Sequence, residues 1–149
     1  MEVLGTHNYL LQYGGNFPSV NEMYKVGRAR GGRSWVYLDP SIKDFKEWVK
    51  SSLDMQGARE DFLVYKGKPV MLNIRMIFSF SQSFWTRDVS NLIKAVEDAV
   101  KEAISIDDRF TITLNMDKLI NDKDNYEYLI LIMEVCELDE KSISLSSMG

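Results

Sequence analysis

Hydrophobic and polar positions alternate most regularly in "VMLNIRMIFSFS", where Val70, Leu72, Ile74, Met76, Phe78 and Phe80 share one face and Asn73, Arg75 and Ser79 the other. Period two over that length predicts a β-strand. From about Val89 to Ile104 the period changes, with Leu92, Ala95, Val96, Ala99 and Ala103 forming the inward stripe of an amphipathic helix. "DRFTITLNMDK" returns to alternation through Phe110, Ile112 and Leu114. "NYEYLILIMEVCEL" is apolar on both faces from Tyr128 to Val135, as a central strand is.

Earlier in the chain, "NYLLQYGG" predicts a short strand ending in a glycine turn. "DPSIKDFKEWVKSSL" predicts a second helix, with Asp39 as cap, Pro40 at the first helical position and Ile42, Phe45, Trp48 and Val49 on one stripe. "DMQGAREDFLVYKGKP" connects that helix to the alternating strand without a clear period of its own. "GRARGGRS" has three arginines, three glycines and no apolar face, and predicts a flexible basic loop over about 25–34. The residues from about 139 to 149 form a polar tail. Neither a repeat nor a domain boundary stands out, so one domain over 1–149 is expected.

Composition narrows the chemistry. Cys136 and His7 are the single cysteine and the single histidine of the 149 residues. An internal disulfide is therefore excluded, a reducing cytoplasm fits, and structural zinc or a histidine-based triad is disfavoured. The N-terminus shows no signal pattern and no apolar run reaches membrane-spanning length, so no membrane partner is expected. Carboxylates, lysine and a metal ion are left as the means of catalysis.

The net charge of -4 hides an uneven distribution. Lys25, Arg28, Arg30 and Arg33 cluster near Glu22, whereas Asn115 to Glu140 holds eight acids and two lysines. A nucleic-acid partner is therefore compatible with the acidic total. The basic stretch is either a solvated loop or an arm that grips phosphates, flanked by Tyr24, Trp35 and Tyr37.

Around the predicted helix, Asn91, Lys94 and Asp98 are spaced by three and four and share a face opposite the apolar stripe. Asp88 precedes the helix, and Asp107 and Asp108 follow it. If the next strand pairs beside the first, these carboxylates can converge into a hard oxygen site for Mg²⁺ or Mn²⁺. Taken singly, each has a plainer explanation: Asp88 or Ser90 as a helix cap, Lys94 with Asp98 as a surface ion pair, Asp107-Asp108 as turn residues.

Together, "PSVNEMY", "RDVSNLIKAVEDA" and "SIDDRF" resemble the RusA family of Holliday junction resolvases, over roughly residues 9 to 135. The resemblance implies a small α+β (mixed α/β) domain, with a mixed sheet packed by two main helices. It further implies a homodimer that nicks four-way DNA junctions in a Mg²⁺- or Mn²⁺-dependent reaction, and a cytoplasmic, phage or prophage setting. Carried over by position, Asp88 and Asp108 match metal-binding and catalytic aspartates, Asp107 is a neighbouring ligand, and Lys94 matches the essential lysine. Asn91, Asp98 and Asn21 match motif positions with supporting roles, and Lys25, Arg28, Arg30 and Arg33 fall where DNA is gripped. One position departs from the family pattern: Ser90 stands where a second aspartate is expected, leaving the site one negative charge short.

Overall fold

The computed structural model describes residues 2–18, 24–81, 90–105, 111–120 and 126–138. Among the described residues there are six strands: β1 (Val3–Tyr13), β2 (Tyr24–Arg28), β3 (Ser34–Leu38), β4 (Val70–Phe80), β5 (Thr111–Ile120) and β6 (Glu127–Glu137). Helices α1 (Pro40–Met55), α2 (Ala58–Phe62) and α3 (Ser90–Ile104) complete the set, with a 3-10 turn at Leu63–Tyr65. The larger sheet has the order β1-β6-β4-β5, and β2 pairs only with β3. The architecture is α+β around a mixed sheet, as the sequence predicts.

The strongest periodicities become the centre of the molecule. β6 is hydrogen-bonded to β1 on one side and β4 on the other, both antiparallel. Leu129, Leu131, Met133 and Val135 of β6, with Leu72, Ile74, Met76 and Phe78 of β4, are fully buried on one face. The stripe of α3 (Leu92, Ala95, Val96, Ala99) and that of α1 (Ile42, Phe45, Val49, Leu53) belong to the same core. Small residues on α3 let it lie close to α1, and the apolar stripes of both helices join the strands in one core. Asp39 caps α1 as expected, accepting from the Ser41 N–H at 2.9 Å.

β4, α3 and β5 form a parallel crossover, with Leu72 opposite Thr111 and Phe80 opposite Ile120. At 1.5 Å per residue, the 15 residues of α3 extend about 22 Å. The chain therefore leaves β4 at the Phe80 end and re-enters β5 at the Leu72 end.

Two predicted regions turn out differently. The first strand spans eleven residues from Val3, longer than the glycine-bounded segment suggests, because it pairs with β6 along its whole length. The basic stretch is ordered as the turn of the β2–β3 hairpin, with Val26 opposite Val36 and Arg28 opposite Ser34. The polar tail lies outside the described residues.

Candidate functional site

The motif helix presents its polar edge as its spacing predicts. Lys94 is 55 % exposed and its Nζ lies 3.1 Å from Oδ1 of Asp98, one turn on. Ser90 is the exposed first residue of α3, and Asn91 is half-buried beside it. Asn91, Lys94 and Asp98 thus line one face, away from the buried Leu92, Ala95, Val96 and Ala99. On the far part of α3, Glu97 and Lys101 make a second i,i+4 pair.

Asp88, Asp107, Asp108 and Asn21 lie outside the described residues. Their nearest described neighbours are informative. Ser81, just before the Asp88 segment, and Phe17, just before the Asn21 segment, are joined by Glu127. The Glu127 carboxylate is completely buried. Its Oε1 accepts the Phe17 N–H at 2.5 Å, and its Oε2 accepts the Ser81 N–H at 2.9 Å and the Ser81 hydroxyl at 3.4 Å. Phe17 is further fixed by aromatic contacts with Tyr13, Phe45, Phe78 and Phe80. Sequence reasoning missed Glu127, since a lone acid opening a strand carries no local signal. On the other side, Ser105 ends α3 at a φ of 58°, three residues before Asp108.

Among the described residues no group of three His, Cys, Asp or Glu side chains is arranged to hold a metal ion. Asp98 is engaged by Lys94. The Cys136 thiol is pushed above its usual range by burial and by its hydrogen bond to Glu134, which disfavours a thiolate nucleophile.

The hairpin carries the basic cluster. Arg28, Arg30 and Arg33 surround its turn, all exposed, and none of them makes an ion pair among the described residues. Ala29 N–H donates to the Arg33 carbonyl at 2.8 Å, closing the turn, and Gly31 and Gly32 supply the positive φ it needs. Lys25 sits on the stem instead, its Nζ 3.0 Å from Oδ2 of Asp39. Hydrogen bonds from Ser41, then from Lys25, hold the Asp39 carboxyl down at about 2. One side chain thereby caps α1 and ties the hairpin to it. Val26, Trp35 and Val36 remain largely exposed, and Trp35 lies across Gly27, where a Cβ would come within 2.4 Å of the indole.

The family model described as "Endodeoxyribonuclease RusA" matches residues 17–128. No curated protein matches the chain in sequence. Among solved structures, the chain is similar to 2C-methyl-D-erythritol 2,4-cyclodiphosphate synthase from Plasmodium vivax, at 10% identity and a TM-score of 0.40, over 91% of this chain and 97% of that one. The CDP complex of IspF from Plasmodium falciparum is similar at 11% identity and a TM-score of 0.34, over 91% and 98% of the two chains. No helix among the described residues is long and apolar enough to cross a membrane.

Proposed function

The chain belongs to the RusA family of endodeoxyribonucleases, and from that premise we propose that it nicks four-way junctions and other branched DNA as a homodimer, with Mg²⁺ or Mn²⁺ as cofactor. The observation that supports this most directly is the β2–β3 hairpin. A two-stranded ribbon is narrow enough to enter a DNA groove, and its turn offers three exposed arginines to phosphates. An isolated hairpin with both faces open gains little from packing, and a nucleic-acid partner gives its exposed Trp35 and arginines a role.

Asp88, Asp107 and Asp108 are the residues that would hold the divalent ion. Such an ion, when bound, neutralises charge on the phosphodiester and lowers the pKa of a bound water. Lys94 extends from the helix edge to the phosphate and stabilises charge developing in the transition state. Asp98, paired with it, keeps the ammonium on that edge; Asn91 and Asn21 support the same site. Arg28, Arg30 and Arg33 hold the DNA backbone, with Lys25 anchoring the arm. Two protomers give two sites, which accounts for paired cuts in opposing strands.

Ser90 favours a second reading, in which the same scaffold binds branched DNA without cutting it. A hydroxyl binds a hard ion more weakly than a carboxylate. A labelled synthetic junction incubated with Mg²⁺ or Mn²⁺ separates the two. Nicking that is lost in Asp88→Asn and Asp108→Asn supports the nuclease; tight, salt-sensitive binding with no product under either metal supports the binder.

A further inference from the structure

A second cationic feature lies far from the hairpin in sequence, in a cavity of about 270 Å³ between α2, the turn before β4 and the end of α3. Arg59, Lys66 and Lys68 line it, and among the described residues no acidic side chain does. All three cations are exposed, and none makes an ion pair among the described residues. The contrast with the larger groove along α1, about 800 Å³, is instructive. There Lys43, Lys46 and Lys50 are matched by Asp44, Glu47 and Glu102, and Lys46 lies 2.8 Å from Glu102. That groove is electrically balanced, whereas the described lining of the smaller cavity carries cations alone.

The smaller cavity is also held in shape. Lys66 N–H donates to the Leu63 carbonyl at 3.1 Å and Lys68 N–H to the Tyr65 carbonyl at 3.0 Å, with Gly67 taking the positive φ between them. This turn sets both lysines on one short, hydrogen-bonded loop. The Tyr65 hydroxyl is fixed by His7 Nε2 at 2.7 Å, and Phe62 and Tyr65 are themselves buried. An apolar wall with cations at its mouth suits a ligand that joins an anionic group to a less polar body. The volume is close to the lower bound of about 300 Å³ for small-ligand sites, so one nucleotide unit is the scale of occupant it admits.

We propose that this cavity binds a phosphate group of a DNA strand, with its sugar against Phe62 and Tyr65. The inference rests on the branched-DNA reading above and adds a second contact region to it. Ser105, at the end of α3, closes one side of the cavity.

The test measures binding of a fluorescent four-way junction in EDTA across a range of salt concentrations, for wild type, for Arg59→Ala/Lys66→Ala/Lys68→Ala and for Arg28→Ala/Arg30→Ala/Arg33→Ala. Each lost phosphate contact lowers the salt slope by about 0.9. The cavity variant should therefore lose about two to three from its slope and bind about ten- to a hundredfold more weakly at 0.1 M salt. Circular dichroism should show the fold unchanged, since the three side chains are exposed; a Lys66→Glu single variant gives the same direction if the triple variant unfolds. Wild-type binding that the hairpin variant weakens and the cavity variant leaves intact overturns the cavity assignment while the branched-DNA reading stands. Failure of wild type to bind any DNA overturns both. A deoxynucleoside monophosphate that binds calorimetrically through Lys66, with the junction salt slope unaltered, assigns the cavity to a free nucleotide and overturns the DNA contact.

Discussion

The Glu127 carboxylate accepts the main-chain N–H of Ser81 at 2.9 Å, across 46 residues of sequence. Through its other oxygen it accepts from Phe17, 110 residues away. One buried acid thus pins the end of β4 to the segment that follows β1. Removing it leaves the buried Phe17 N–H and the half-buried Ser81 N–H without this acceptor, costing about 1–3 kcal/mol for the first and less for the second. Glu127→Ala should lower the unfolding free energy by roughly 2–4 kcal/mol, read from urea melts. A midpoint within error of wild type would show that the two N–H groups find other partners.

Asp39 links the α1 cap to the hairpin stem, and its charge is needed for the second of those contacts. Its folded-state pKa is held near 2, against 3.8 for the free group, by hydrogen bonds from Ser41 and then Lys25. A depressed pKa means that its contribution is fully present above about 3.8 and is lost as pH falls through about 2. Asp39→Asn keeps an acceptor for the Ser41 N–H and discards the charge. Wild type should be the more stable at pH 6, and the gap should close between pH 4 and pH 2 in paired thermal melts. A gap that does not vary with pH would assign the whole effect to the cap.

The sequence made α1, β4, α3 and β6 legible because each buries one face or both against the common core, and burial is what imposes a period. The hairpin was not legible for the converse reason. Val26, Trp35 and Val36 stay exposed, the strands are five residues each, and arginines and glycines fill the turn, so nothing distinguished it from a loop. Glu127 and the Arg59–Lys66–Lys68 cavity escaped for another reason: their meaning lies in contacts made across tens of residues. The edge Asn91–Lys94–Asp98 was legible from spacing; Asp88, Asp107 and Asp108 stood out by their places before and after the same helix, took their roles from the family resemblance, and lie outside the described residues.

If the hairpin is the arm that grips DNA, its shape should matter as well as its charge. Gly27→Ala places a methyl group where the Trp35 indole now lies. Trp35 is half exposed and can swing away, so the fold should keep its stability to within about 1 kcal/mol. Junction affinity should fall several-fold, and Trp35→Ala should reproduce the loss. Unaltered affinity in both variants would restrict the arm's role to its arginines.

Lys94 separates an active-site edge from a surface ion pair. Both partners are substantially exposed, and such pairs contribute about 0–1 kcal/mol, so Lys94→Ala should leave the melting temperature within roughly 3 °C of wild type. Losing a group that stabilises transition-state charge costs about 10²–10³ in rate. Single-turnover nicking of the junction should fall by that much with binding retained. A loss below about threefold would return Lys94 to the role of an ordinary i,i+4 partner.

Ser90 opens α3 at the position where the resemblance leads one to expect an aspartate, and the substitution that tests it is Ser90→Asp. A carboxylate in the first turn of a helix interacts favourably with the helix dipole, by about 0.3–1 kcal/mol, so the variant should not lose stability. If the missing charge limits the site, Ser90→Asp should nick the junction at a lower Mg²⁺ concentration than wild type and reach at least the same maximal rate. The Mg²⁺ dependence is the informative quantity, because a carboxylate added near the DNA path also repels phosphate and weakens junction binding at low metal. Weaker binding with an unchanged or higher metal requirement would show that the site works with a hydroxyl at Ser90.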